Sequence, residues 1–141
     1  MAPRIVLDTN CLLIAISSRS RYHLIWQSFL QGDFTLCVST EILEEYEEVL
    51  ARNLNQRIAQ YIMYALLERR NVQKVDVFFR FRLITSDPDD DKFTDCAIAS
   101  NARYIVSEDR HFAVLDQIDF PKVSVIGIDR FLEEIVDRPP L

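Results

Sequence analysis

The chain has 141 residues, of which 49% are apolar and 27% charged, and its formal net charge is −6. This length predicts one domain, and this composition predicts a folded core rather than a disordered chain. The apolar runs are shorter than the roughly 20 residues that cross a bilayer, and an acidic balance taken alone argues against a nucleic-acid-binding protein, which normally carries a basic surface.

Strands and helices are predicted to alternate in the first half of the chain. The predicted elements are a strand over 4–8, a helical region over about 11–30, a strand over 34–38, and helices over about 40–50 and 56–70. Ser39 or Thr40 is expected to cap the helix at 40–50, because a short hydroxyl side chain can accept a free amide of the first turn.

The second half continues the alternation after an ambiguous segment. Segment 72–84 has no clear period, although Phe81–Ile84 is compatible with a strand. The remaining predicted elements are a helix over about 90–101, strands over 104–107 and 123–126, and a closing helix over 128–136. Such alternation predicts an α/β fold with a parallel sheet and helices on both faces. Residues 1–137 are predicted to form one domain and 138–141 a short tail.

Three isolated cysteines, Cys11, Cys37 and Cys96, lie in apolar surroundings. They predict reduced core thiols and a cytoplasmic protein, because an odd number without a repeated spacing does not indicate a disulfide framework. Neither a Cys-x-x-Cys pair nor a Cys/His cluster occurs, so a zinc site is not expected.

Acidic residues stand where two of the predicted strands end. Asp8 follows Ile5-Val6-Leu7, and Asp109 follows the strand at 104–107. The carboxyl ends of parallel strands form the usual site of open α/β folds. Either residue is also explained as a helix cap. Several carboxylates meeting at that edge would repel one another unless a cation joined them, and oxygen ligands suit Mg²⁺. The pattern therefore indicates a metal-dependent site acting on phosphate.

A second acidic group lies on the helix at 40–50. Its apolar stripe leaves Glu44 and Glu48 on the opposite, solvated side and places Glu45 and Glu47 at the two margins. A carboxylate at a margin can point into a crevice beside the core. Periodicity does not choose between these two residues, and for any one of them a solvated position is the simpler explanation.

The run Asp87 to Asp91 opens the helix at 90–101. Acids at a helix N-terminus are stabilised by the helix dipole, which is a sufficient structural reason for them. Asp95 lies within that small, apolar helix, where a buried acid needs a partner or a cation. His111 is a candidate acid or base, but a surface histidine is the simpler reading.

Four stretches of the chain, in this order, resemble the PIN-domain family, and within it the small prokaryotic VapC-like toxins of toxin–antitoxin pairs. The stretches are Val6-Leu7-Asp8-Thr9-Asn10, residues 39–50, Asp87-Pro88-Asp89-Asp90-Asp91-Lys92-Phe93, and residues 102–109. The third stretch is the most specific, and together they span nearly the whole chain.

The resemblance implies a three-layer α/β/α sandwich and an Mg²⁺- or Mn²⁺-dependent endoribonuclease. Carried over by position, the catalytic acids are Asp8, Glu45, Asp90 and Asp109, the metal ligands are Asp8, Asp90, Asp95 and Asp109, and the supporting polar residues are Thr9, Asn10 and Ser107. The third acid stays open among Asp89, Asp90 and Asp91. RNA as substrate, an antitoxin protein as partner and a homodimer are the further expectations, with no membrane association.

Two other functions compete with this hypothesis. One is a non-catalytic module of the same fold that binds RNA or protein. The other is a different Mg²⁺-dependent phosphate enzyme, which the sequence disfavours. A dehalogenase-like phosphatase needs Asp-x-Asp after the first strand, whereas this chain has Asp8-Thr9-Asn10 there. A receiver domain needs a lysine after a late strand, whereas Lys122 comes before the last predicted strand.

Overall fold

A computed structural model describes residues 2–84 and 87–137 of the chain, so the predicted tail at 138–141 lies outside the described residues. Its centre is a parallel sheet with the strand order β3-β2-β1-β4-β5. The strands are β1 (Arg4–Leu7), β2 (Thr35–Val38), β3 (Val72–Lys74), β4 (Tyr104–Val106) and β5 (Val125–Ile126). The predicted α/β fold with a parallel sheet is confirmed.

Helices connect the strands and complete the three layers. They are α1 (Thr9–Ile16), α2 (His23–Leu30), α3 (Thr40–Asn53), α4 (Gln56–Glu68), α5 (Asp91–Ser100) and α6 (Ile128–Val136). Two 3-10 helices, Pro88–Asp90 and Arg110–Gln117, flank the last part of the sheet. In the part of the chain that the structure describes, no helix combines the length and apolarity that crossing a bilayer requires.

The core lies around the middle strands. Ile5 and Val6 of β1 and Ile105 and Val106 of β4 are completely buried, because helices cover both faces of a parallel sheet. Helix α5 packs on β1, β2 and β4, and α3 packs against α1 and α4. Each short loop at the carboxyl edge therefore leads directly from a rigid strand into a packed helix.

One predicted element is wrong in detail, and the structure resolves the segment whose structure was left open. The helical region at 11–30 is two helices, separated by a turn in which the amide of Ser20 bonds to the carbonyl of Ser17 at 3.1 Å. Serines favour such turns over helix interiors because their hydroxyls compete for backbone groups. The third strand lies at 72–74 rather than at Phe81–Ile84, whose amides bond to carboxylates of α5 instead of to a strand.

Strand register brings two functional loops together. Leu7 of β1 pairs with Val106 of β4, so the next residues, Asp8 and Ser107, leave the sheet side by side. The amide of Asp8 still bonds to the carbonyl of Val106 at 3.0 Å. The acid after the first strand and the loop after the fourth strand therefore share one edge of the sheet.

Candidate metal centre

Asp8 is fixed at the sheet edge by the loop after β4. The hydroxyl of Ser107 donates to Asp8 Oδ2 at 2.7 Å and accepts from the amide of Asp109 at 3.0 Å. The side chain of Asp8 makes no capping bond to α1, so the alternative explanation as a helix cap does not describe it. Burial, aided by the charges of Asp109 and Glu45, raises the pKa of this carboxyl.

Three carboxylates and one imidazole form the densest group of ligand atoms at this edge. One ligand atom each of Asp87, Asp90, Asp109 and His111 lies within 4.8 Å of the other three. Nδ1 of His111 is 3.1 Å from Asp109 Oδ1 and 3.4 Å from Asp90 Oδ2. These four side chains are called the acidic cluster below, and Asp8 lies beside them.

Asp90 is the most perturbed member of the cluster. It is 8% exposed, and its buried Oδ2 atom has no hydrogen-bond partner. Burial, followed by the charges of Asp109 and Asp87, raises its pKa to about 7. An unsatisfied buried carboxylate oxygen among further carboxylates is costly, and a cation is the usual way to offset that cost.

Local sequence explains how Asp90 reaches this position. Asp87 accepts the amide of Asp89 at 3.1 Å and starts a 3-10 turn, which Pro88 favours because its φ is fixed. The turn ends at Asp90, directly before α5. The positive end of the α5 dipole therefore faces the cluster and favours negative charge there.

Glu45 enters from α3, on the other side of Asp8. Its Oε2 accepts from the hydroxyl of Thr9, and its Oε1 lies 2.8 Å from Nζ of Lys92. The hydroxyl of Tyr46 donates to the carbonyl of Leu7 at 2.5 Å, which fixes α3 to the end of β1. Both oxygens of Glu45 are therefore held by neighbouring side chains.

The other acids of α3 differ from Glu45 in their exposure. Glu44 and Glu48 are exposed, as predicted, and so is the second margin residue, Glu47, whereas Glu45 is half-buried. The two margins are thus not equivalent in the fold. Glu45 lies on the margin that faces α1 and α5, and residues of these two helices contact its side chain.

Some predicted site residues are not brought into the cluster. Asp95 is buried, as predicted, but its Oδ1 accepts the amide of Phe81 at 3.1 Å. Asp91 accepts the amide of Ile84 at 2.9 Å, and both Asp89 and Asn10 are exposed. Of the three acids left open at the third position, Asp90 is therefore the one that joins the cluster.

Three residues near the site were not assigned to it from the sequence. Asp87 lies in an acidic run for which the helix dipole is a sufficient explanation, a surface position is the simpler prediction for His111, and no role is predicted for Lys92. His111 is 42% exposed and yet contacts the cluster, while the Lys92 side chain is only 11% exposed. The one available signal was proximity, since each lies within three residues of a predicted acid.

The donor set fits a hard divalent cation. Carboxylate oxygens dominate it, they come from several elements, and one buried oxygen lacks a partner. Such oxygen-rich sites suit Mg²⁺ and Mn²⁺ more than soft metals, and the group of ligand atoms among the described residues contains no cysteine.

We compared the chain with protein families, curated proteins and solved structures. A family model described as PIN domain matches residues 4–111. No curated relative matches the sequence.

Several solved structures share the fold at low identity. VapBC2 from Rickettsia felis, bound to a DNA fragment from their promoter, has a TM-score of 0.61 at 18% identity, over 88% of this chain and 98% of that chain. FitAcB from Neisseria gonorrhoeae has a TM-score of 0.58 at 18% identity, over 88% and 97%. VapC20 from Mycobacterium tuberculosis, described as a Sarcin-Ricin loop cleaving toxin, has a TM-score of 0.55 at 14% identity, over 77% and 92%. At these identities the likeness concerns the fold alone.

Proposed function

The chain belongs to the PIN-domain family, and from this membership we propose that it is a divalent-cation-dependent endoribonuclease that acts as the toxin of a toxin–antitoxin pair. The observation that carries the proposal is Asp90, a buried carboxylate whose Oδ2 accepts no hydrogen bond and whose pKa is raised inside a cluster of acids. Carboxylates converging at the carboxyl edge of a parallel sheet suit phosphate chemistry through a cation.

The proposed ligands of Mg²⁺ or Mn²⁺ are Asp8, Asp90 and Asp109, with Asp87 and His111 as neighbours that reach the same space. The bound cation would lower the pKa of a water molecule and offset the charge that develops at phosphorus. Hydrolysis of this kind leaves a 5′-phosphate and a 3′-hydroxyl and needs no serine, histidine or cysteine nucleophile.

The remaining polar residues have supporting roles in this proposal. Ser107 orients Asp8 through its 2.7 Å hydrogen bond. Glu45, with both oxygens engaged, holds the ammonium of Lys92 beside the site, where it is placed to meet a phosphate oxygen. Thr9 assists Glu45. Asp95 holds the backbone at Phe81, and we assign it that role in place of a metal ligand.

The solved structures that share this fold support the toxin assignment and the antitoxin partner. The VapBC2 and VapC20 structures resemble this chain over most of its length, and VapC20 is described as a Sarcin-Ricin loop cleaving toxin. A ribonuclease toxin acts on cellular RNA, so the proposal includes a cytoplasmic location. The expected homodimer stays a prediction.

The decisive experiment measures cleavage of a labelled single-stranded RNA by the purified chain with Mn²⁺, Mg²⁺ or EDTA. We expect cutting only with a divalent cation, products with 5′-phosphate ends, and no cutting by the double variant Asp8→Asn/Asp109→Asn. Asp89→Asn is the control for loss of charge nearby, because it removes one negative charge from an exposed residue next to the cluster.

Two results would contradict the proposal. Cleavage that survives in the double variant would mean that the acids do not form the catalytic site. RNA binding without cleavage under any cation, by a chain that binds Mn²⁺, would favour the non-catalytic binding module.

A further inference from the structure

Residues 78–82, Phe78-Phe79-Arg80-Phe81-Arg82, form an exposed aromatic segment that the proposed chemistry does not use. Phe78 is 92% exposed and Phe79 is 68% exposed, although large apolar side chains are normally buried. Phe79 and Phe81 lie with their ring centroids 4.8 Å apart. Such rings in water are unfavourable for folding alone and indicate a surface that something else covers.

The backbone beneath the rings is held firmly by α5. Asp95 accepts the amide of Phe81 and Asp91 accepts the amide of Ile84, at 3.1 and 2.9 Å. Ile84 is completely buried. Arg82, which lies between Phe81 and Ile84, has a φ of +53°, in the left-handed region that turns a chain sharply. The segment is thus a fixed platform whose rings face outward.

This platform is anchored to the two helices that border the metal centre. Asp91, which accepts the amide of Ile84 just after the segment, directly follows Asp90. At the other side Arg80 pairs with Glu41, which precedes Glu45 by one helical turn on α3, a rise of about 6 Å. The aromatic segment is therefore fixed to α3 and α5, the helices that carry Glu45 and Lys92 beside the metal centre.

We propose that the aromatic segment binds unpaired bases of single-stranded RNA by stacking on Phe78 and Phe79. The inference rests on the proposed function for the identity of the ligand. Unpaired bases stack on aromatic side chains, and arginines between the rings meet the backbone phosphates. Arg82 supplies local positive charge in a chain of net charge −6, whereas the guanidinium of Arg80 is paired with Glu41. Because the segment carries so little unpaired positive charge, stacking supplies most of its affinity.

A partner helix is the competing occupant, and the segment suits it less well. A helix docks on a continuous apolar stripe, whereas the rings here alternate with arginines on irregular backbone. The exposed face of α4, with Tyr61 and Tyr64 at 71% and 67% exposure, has the helical spacing that a partner helix would need. Those two tyrosines therefore make a matched control for the two phenylalanines.

The test measures the affinity of a short labelled RNA strand for the full chain in EDTA, and then the KM and kcat of cleavage in Mn²⁺. The double variant Phe78→Ala/Phe79→Ala is compared with Tyr61→Ala/Tyr64→Ala. We expect the phenylalanine variant to lose roughly five- to a hundredfold in affinity, the range that one stacked base contributes, and to raise KM with kcat retained. The tyrosine variant should match the wild type in both assays.

A strand of the same length without bases separates stacking from other effects. It should bind the wild type about as weakly as the intact strand binds the phenylalanine variant, and the variant should not lose affinity for it. Equal RNA affinities of the two double variants would overturn the inference. So would a phenylalanine variant that keeps its RNA affinity but no longer self-associates or captures a partner protein.

Failure of this inference is distinguishable from failure of the proposed function. Base-dependent binding by a wild-type chain that never cleaves would keep the inference and remove the nuclease. Cation-dependent cleavage with an unchanged KM in the phenylalanine variant would support the nuclease and overturn the stacking inference. Unchanged Mn²⁺ affinity and thermal stability show that the variant is folded, as expected for residues so exposed.

Discussion

Replacing Asp90 by asparagine should stabilise the metal-free protein, and the gain should depend on pH. The pKa of Asp90 is about 7 in the folded chain, against 3.8 for a free aspartate, because the residue is buried beside Asp109 and Asp87. The folded state therefore binds this proton more tightly than the unfolded state. Between about pH 4 and pH 7 the unfolded state carries fewer protons, so the free energy of unfolding falls as pH rises.

The size of the effect follows from the pKa difference. About three units at 1.36 kcal/mol each give about 4 kcal/mol as the largest cost of ionising Asp90 in the folded chain. Asparagine has nearly the same shape without the charge, so Asp90→Asn should be more stable by about 2–4 kcal/mol near pH 8 and nearly equal near pH 4. For 141 residues this corresponds to a Tm increase of roughly 6–12 °C near pH 8.

Urea unfolding in EDTA at the two pH values measures this difference. Asp89→Asn is the control, because it removes one negative charge from the adjacent but exposed position. An equal gain for Asp90→Asn at both pH values, or a gain shared by Asp89→Asn, would refute the argument that burial in the cluster is the cause. Adding Mn²⁺ should reverse the order, since a ligand stabilises only the form that binds it.

Two further variants test the residues around the acids. Ser107→Ala removes the hydroxyl that donates to Asp8, so we expect Mn²⁺ affinity to fall roughly tenfold in a calorimetric titration, and an unchanged affinity would contradict the orienting role. Lys92→Gln frees one oxygen of Glu45, so kcat should fall while Mn²⁺ affinity changes little, with partial recovery in Lys92→Arg; an unchanged kcat would exclude the proposed contact with phosphate.

The positions after the strands could be predicted because sheet geometry is local and regular. A strand-like run followed by an acid places that acid at the carboxyl edge, and this is where Asp8 lies, with Asp109 just past β4. The burial of Asp95 could also be predicted from the small apolar residues around it. The hydrogen-bond partner of Asp95 could not be predicted, because Phe81 lies in a segment whose apolar residues follow neither a helical nor a strand period.

Other features depend on tertiary contacts that have no sequence period. His111 meets the cluster because a turn brings its ring back over Asp109, and Lys92 reaches Glu45 only because α3 and α5 pack together. The position of β3 was missed for a related reason. Val72 begins pairing with Leu36 within a run of polar residues that propensity alone does not identify as a strand.

The net charge of −6 is compatible with the proposed RNA substrate because of where the acids lie. Five of the 22 acidic residues are gathered at one edge of the sheet, namely Asp8, Glu45, Asp87, Asp90 and Asp109. Divalent cations bound there would turn the most negative part of the surface into the part that attracts phosphate. Elsewhere on the surface, electrostatic binding of RNA phosphates would require a basic patch, and such binding weakens steeply as the salt concentration rises. Stacking on exposed rings does not depend on a basic surface, so the proposed stacking would let an acidic chain bind a single strand near the proposed cation site.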